Sequence, residues 1–303
     1  MTFPLFAEIA VVVSLLTVLG LITIVGLDRL WAFREQALDR FQGVFPYLLM
    51  LAIVLAINSY LRQVGPSLSW VFGWQITQEI FAIEGELVGV IQSYSHPVAD
   101  LYFSYTYIYG YIFLVAFPVI AYFVLSDGRP VREITLAYAI NYLVGVLCYL
   151  LFIAYGPRNV MPDLVDQVLY LNWPESNLLT REFNANVNVF PSLHTSLSVT
   201  VALLAVRTRD SYPLWVPVSS LLACSVAFST MYLGIHWGID VLAGVVLAVI
   251  SVGVAAWMTS PERRRLDAIG RQLRAPIDRL VGWLLALVRE YRDHRESDSR
   301  LDS

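Results

Sequence analysis

The chain has 303 residues, of which 57% are hydrophobic and 15% charged, with a mean hydropathy of +0.63 and a formal net charge of −4. A soluble domain carries about 25% charged residues, so this composition excludes a water-soluble globular protein and points to one embedded in a bilayer. The charge lies in loops and in the C-terminal tail, and no nucleic-acid partner is expected.

All 20 basic residues are arginine. Cys148 and Cys224 both lie in apolar segments, which argues against a disulfide framework and against a thiolate metal site. The N-terminus has no basic region and no small-residue cleavage site, so the first apolar run is expected to stay as a span.

Seven apolar stretches approach the roughly 20 residues that a spanning helix needs. They cover 8–27, 45–61, 101–125, 134–155, 192–206, 213–233 and 237–257, the fifth being short. The predicted fold is all-α, a polytopic membrane helical bundle of about seven transmembrane helices. Its expected parts are an N-terminal transmembrane helix and loop over 1–44, a membrane-embedded core over 45–260, and a tail over 261–303. The tail reads as a cytoplasmic amphipathic helix followed by a disordered end that holds His294. Segment 67–92 carries Glu79, Glu84 and Glu86 among apolar residues at helical spacing, which predicts one helix lying in the interface. The tyrosines from Tyr102 to Tyr111 read as an interfacial belt and helix packing.

Arginine counts set the topology. Arg29, Arg34 and Arg40, then Arg129 and Arg132, then Arg207 and Arg209, then Arg263 to Arg265 occupy alternate loops. These loops are assigned to the cytoplasm. The N-terminus and the loops 62–100, 156–191 and 234–236 then lie outside, in a multi-pass cell-membrane protein. The outer loop 156–191 holds Arg158 and Arg181, against the charge rule. An arginine there is most easily explained by an anionic ligand. Asp163, Asp166, Asn184, Asn186 and Asn188 in the same loop either select a headgroup or are simply solvated.

The segment from Ala227 to Gly244 reads AFSTMYLGIHWGIDVLAG. If it is helical, His236 and Asp240 share one face, one turn apart. A carboxylate there can hold one ring nitrogen and make the other a nucleophile or base. Asn188 to Ser196 reads NVFPSLHTS and supplies His194 at the start of another apolar segment. Histidines and an acid at membrane-helix ends are costly unless used. Tyr155-Gly156-Pro157-Arg158 adds a guanidinium at a third span end, where it can clamp phosphate. Amides near Ser192 offer an anion site. This set suits phosphoryl transfer without metal. Zinc sites on helices favour a tighter motif such as HExxH, which is absent, so no metal and no cofactor are expected.

These stretches resemble the type 2 phosphatidic acid phosphatase superfamily, whose second motif is PSGH and third SRxxxxxHxxxD. Here PSLH stands at 191–194, and Ser229-Thr230 precedes His236 and Asp240 at the matching spacing. The resemblance covers roughly 134–257. It implies a six-helix phosphatase-like core, with the first span as an extra N-terminal helix. It further implies His236 as the nucleophile forming a phosphohistidine, Asp240 orienting it, His194 as general acid, and Ser192 with nearby amides on phosphate oxygens. The third-motif arginine is Thr230 here, whose hydroxyl is a candidate for phosphate. The first motif is absent as such, and Arg158 is its positional substitute. The PSLH and HWGID contexts look like the branch of inositol phosphorylceramide synthases, in which an alcohol resolves the phosphohistidine.

The function so implied is hydrolysis or transfer of phosphate groups of phosphatidate-like lipids or polyprenyl phosphates and diphosphates, at the outer face of the bilayer. The alternatives are a phosphotransferase acting on a lipid or polyol alcohol, and, in another class, a proton-coupled transporter or an inactive lipid-binding scaffold. The oligomeric state is left open.

The topology predicts which side of a sealed cell labels a single introduced cysteine. Ser95→Cys should react with a membrane-impermeant maleimide added outside, and Asp210→Cys only after permeabilisation. The reverse pattern would invert the orientation.

Overall fold

The computed structural model describes residues 3–172 and 189–261. The described residues up to Ala255 belong to one compact unit and those from Ala256 on to another. The expected tail helix from residue 262 on, His294 within it, and the loop residues Arg181, Asn184, Asn186 and Asn188 lie outside the described residues.

Helix α1 (Phe3–Gly20) continues through a π-helical turn, Leu21–Val25. It is followed by α2 (Leu27–Arg34) and the 36-residue α3 (Ala37–Phe72). Next come α4 (Thr77–Glu84), α5 (Leu87–Ser93), and α6 (Pro97–Tyr105), which a π-helical turn, Thr106–Gly110, joins to α7 (Tyr111–Val124). The chain continues as α8 (Arg129–Leu151), the short α9 (Pro157–Val160) and α10 (Val168–Asn172). It ends with α11 (Leu193–Arg207), α12 (Trp215–Tyr232) and α13 (Gly238–Met258). Among the described residues, six runs are long and apolar enough to cross a membrane: Leu5–Val25, Ala37–Gly65, Pro97–Val124, Arg129–Leu151, Trp215–Tyr232 and Gly238–Met258. The fifth expected stretch is α11, a 15-residue apolar helix.

Two expectations change. The second span does not begin near residue 45, because α3 starts at Ala37 and runs unbroken to Phe72. Polar residues with fair helix propensity extend a helix beyond its apolar stretch, and hydropathy does not register that. Segment 67–92 is not one helix. After α3 it forms β1 (Trp74–Gln75), paired in parallel with β2 (Phe152–Ile153), and then α4 and α5. Gly85, at φ +59, separates those two helices in a conformation that side chains with a Cβ disfavour.

Ring packing sets the centre of the bundle. Trp215 is fully buried, with its ring 4.7 Å from that of Phe117 and edge-on to Phe113 at 6.0 Å. Leu114, Ile134, Ala137, Leu197, Val201 and Ala205 fill the space around α7, α8 and α11. The first two apolar windows are only 11% and 17% buried, against 56% and 50% for the next two. They therefore flank the bundle and do not fill its middle. Their exposed Val11, Leu15, Leu19, Leu49 and Ile53 suit hydrocarbon and not water.

Hydrogen bonds between α8 and α11 offset the cost of burying polar side chains there. Asn141 on α8 donates from Nδ2 to the Ala137 carbonyl at 2.7 Å and to Thr200 Oγ1 at 3.1 Å, and its Oδ1 accepts from Ser196. At the far end from the histidines, Arg207 Nε meets Glu133 Oε1 at 2.6 Å. These contacts fix the rotation of α11 against α8, and so the direction of His194.

Gly244 on α13 packs against the start of α11. A Cβ there would lie 2.6 Å from the Ser192 carbonyl and 3.1 Å from Thr195 Cβ. Gly244→Ala should therefore lower the detergent-solubilised Tm by an overpacking cost of about 1–3 kcal/mol and reduce turnover. Gly253→Ala, where a Cβ meets nothing within 4 Å, should change neither.

Candidate active site

The turn between α12 and α13 carries the chemistry. α12 ends at Tyr232, and Gly234, at φ +68, turns the chain back. The Thr230 carbonyl then accepts from both Ile235 N and His236 N at 3.0 Å. α13 begins only at Gly238. His236 therefore precedes the helix, and the shared-face argument for the pair does not apply. Asp240 instead folds back over the first turn, as a capping residue does. Its Oδ2 accepts from Trp237 N at 2.9 Å and faces His236 Nδ1 at 3.3 Å. His236 is 5% exposed and Asp240 is fully buried, so the pair is largely screened from water. A carboxylate at Nδ1 selects the tautomer that leaves the Nε2 lone pair open. Asp240 Oδ1 is also buried, with no hydrogen-bond partner among the described residues.

The Ser192 turn is bonded to this one. Ser192 N donates to the Asp240 carbonyl at 3.0 Å. Its hydroxyl accepts from Thr195 N at 3.3 Å and from Thr195 Oγ1 at 3.1 Å, capping α11. His194, the second residue of that helix, is half-buried, with its ring stacked on Tyr107 at 4.5 Å and tilted on Tyr111 at 4.4 Å. The two imidazole centroids are 6.4 Å apart. Tyr107 is in the π-helical turn, so two of the belt tyrosines in fact line His194.

Arg158 reaches the same turn from β2 and α9. Its N–H donates to the Gly234 carbonyl at 3.1 Å, and a Cβ on Gly156 would meet the Ile235 carbonyl at 2.4 Å, so the two backbones touch. The guanidinium lies over the Tyr170 ring at 5.0 Å and donates to its hydroxyl at 3.4 Å. Nη1 is buried, with no partner among the described residues. Thr230, where the third motif has arginine, donates its hydroxyl to the Ala227 carbonyl at 2.7 Å, within its own helix. The structure thus brings His236, Asp240, His194, Ser192 and Arg158 to one end of the bundle, and it uses Thr230 through its backbone.

Glu84 was not singled out by the sequence reading as part of this site. Its carboxylate bridges the start of α13, accepting from Gly238 N at 2.7 Å and Ile239 N at 3.0 Å. Phe81, on the same helix, packs edge-on to Trp237, whose Nε1 donates to the Tyr155 carbonyl at 2.8 Å. The signal was available: an acidic residue in an apolar, helix-spaced segment needs a donor. His96 is a helix cap, its Nδ1 accepting from Val98 N at 3.3 Å. Among the described residues no three His, Cys, Asp or Glu side chains gather as a metal-ligand set.

The family model described as the PAP2 superfamily matches residues 78–254, more than half of the chain. The chain belongs to that superfamily. A relative from Methanocaldococcus jannaschii, the uncharacterized protein MJ0662, is 28% identical over 163 residues. That match covers 53% of this chain and 62% of the relative, so the chain spans less than two thirds of that protein's length. Among solved structures, the crystal structure of Aquifex aeolicus LpxE is similar, with a TM-score of 0.46 and 21% identity, over 58% of this chain and 95% of that one. The matched region of the superfamily model contains α4 to α12 and most of α13, and so every residue of the site described above. The six apolar helices make this a multi-pass membrane protein.

Replacing Glu84 tests the docking of α4 on the turn. Glu84→Ala leaves two amides without their acceptor, at a cost of about 1–3 kcal/mol each. It should lower both Tm and kcat, the latter about ten-fold, with little change in KM. Glu84→Gln keeps one acceptor oxygen and should fall between the two in steady-state kinetics.

Proposed function

We propose that this protein is a membrane enzyme that releases phosphate from lipid phosphates through a phosphohistidine on His236, without metal. The observation that carries the reading is the His236–Asp240 pair, with Nδ1 and Oδ2 at 3.3 Å and a second imidazole 6.4 Å away between two tyrosine rings. A lone ionisable pair buried at a helix start is expensive, and a nucleophile held by a carboxylate is a use for it.

Asp240 keeps the proton on Nδ1 and offsets the charge that His236 gains when Nε2 bonds to phosphorus. The bond to the leaving oxygen breaks as His194 gives it a proton. Water then attacks the phosphohistidine and gives one of its own protons to His194, while the bond from phosphorus to Nε2 breaks and its electron pair returns to His236. Arg158, with a buried and unpartnered Nη1, is the phosphate clamp and stabilises the charge on the equatorial oxygens. Ser192 retains an O–H to donate, since its oxygen serves only as acceptor in the cap. Thr230 holds the turn and has no free proton for phosphate. The substrates favoured are phosphatidate-like lipids and polyprenyl phosphates or diphosphates. The arginine pattern sets the site at the outer face of the cell membrane.

The deciding experiment is phosphate release from a panel of lipid phosphates in detergent with EDTA present. The parent should be active and sensitive to vanadate, which mimics five-coordinate phosphorus. His236→Ala should lose at least about 10³-fold, and Asp240→Asn and Arg158→Gln about 10²-fold or more. Headgroup exchange between lipids without phosphate release would assign transfer to an alcohol, as in the inositol phosphorylceramide synthase branch. Loss of activity in EDTA would sink the metal-free chemistry.

A further inference from the structure

Arg62 is a second arginine at this end of the bundle. It lies on α3, ahead of the region that the family model covers, and within the apolar window Ala37–Gly65. A guanidinium placed there is disfavoured by hydrocarbon and by the charge rule that singled out Arg158. α3 is fastened to the end of α8 at this level. Ser69 Oγ donates to the Tyr149 carbonyl at 2.9 Å, and a Cβ on Gly65 would lie 3.2 Å from Leu150. That contact sets the Arg62 guanidinium 5.3 Å from the centroid of the Tyr149 ring, with Nε buried. Tyr149 in turn donates its hydroxyl to the Pro191 carbonyl at 3.1 Å, three residues before His194. Arg62 thus belongs to the His194 side of the imidazole pair. Arg158, bonded to Gly234, belongs to the His236 side.

One cation beside the nucleophile and another beside the acid match two anionic groups in one substrate. We propose that Arg62 binds the second phosphate of a lipid diphosphate, the phosphate that stays with the leaving group. The proposal rests on the roles assigned above to His236 and His194. His236 Nε2 bonds to the terminal phosphorus, and the bond from that phosphorus to the bridging oxygen breaks. The proton of His194 goes to the bridging oxygen, and the lipid leaves as a phosphate monoester whose charge Arg62 offsets. Water then resolves the phosphohistidine as before. A lipid monophosphate leaves as a neutral alcohol and offers Arg62 no anion, so Arg62 sets the preference between the two substrates.

The test compares kcat/KM of the full chain in detergent for farnesyl diphosphate and farnesyl phosphate, with His236→Ala as the blank. The parent should prefer the diphosphate by about ten-fold or more. The ratio should fall by about ten-fold or more in Arg62→Gln and recover in part in Arg62→Lys, which keeps the charge without the bidentate fork. In the parent alone, inorganic pyrophosphate should inhibit at about ten-fold lower concentration than phosphate, a readout that survives if Arg62→Gln does not fold. Equal inhibition by the two ions, or a substrate ratio that is the same in parent and Arg62→Gln, overturns the role of Arg62 while the phosphohistidine reading stands. A parent that turns over neither lipid overturns that reading, and this one with it.

Discussion

Asp240 ties the site together. Its side chain holds the Trp237 amide and faces His236 Nδ1, and its carbonyl accepts from Ser192 N. One residue therefore fixes the histidine of its own turn and the start of the helix that carries the other histidine. In a buried position each of these bonds is strong, because water does not compete for the donors. The same burial makes the residue intolerant of change, since an orphaned amide or imidazole there costs free energy with no solvent to compensate. The close approach of Gly244 to the Ser192 carbonyl belongs to the same constraint. The two turns bond only because the helices behind them touch backbone to backbone.

A second layer holds the first. Glu84 occupies the amides at the start of α13 that a helix leaves unsatisfied. The two-residue pairing of β1 with β2 brings the Arg158 segment alongside α4. Irregular backbone at the end of a membrane bundle is admissible where it is enclosed by protein, and here it is enclosed by α4, α5 and the aromatic rings of Phe81 and Trp237. Gln92 contributes in the same way, its amide bonding to the Asp166 and Tyr232 carbonyls at 3.1 and 2.8 Å and so linking the Arg158 loop to the end of α12.

The departures from the superfamily motifs have a common spatial account. Thr230 stands where the third motif has arginine, and its hydroxyl is spent inside α12. A cation still reaches the turn, from Arg158, through a different strand and a different backbone contact. Charge at a site is a requirement of the chemistry, whereas the element that delivers it is not. Motif spacing records only residues that share an element, so it reads the change at 230 as a loss. The tertiary contact between Gly156 and Ile235 sets Arg158 beside the same turn from a different part of the chain.

The sequence alone was enough for whatever depends on composition and local order. Apolar length located the six runs long enough to cross a membrane and the short helix at Leu193–Arg207. The order of PSLH and His236-x3-Asp240 at span ends was enough to mark the superfamily to which the chain belongs. The cost of ionisable groups in hydrocarbon made His236, Asp240 and His194 stand out from their neighbours. Other features were decided by contacts between residues far apart in the chain. Asp240 meets His236 across a helix start and not along a helix face, because Gly234 turns the chain before α13 begins. Glu84, 154 residues before Gly238, joins the turn only through the docking of α4. The rings of Tyr107 and Tyr111 meet His194, and Tyr149, with Arg62 over its ring, reaches the Pro191 carbonyl, only when α3, α7, α8 and α11 are packed. Hydropathy measures where a segment prefers to lie, one residue at a time, whereas the direction of a side chain depends on the rotation of its helix, which neighbouring helices set.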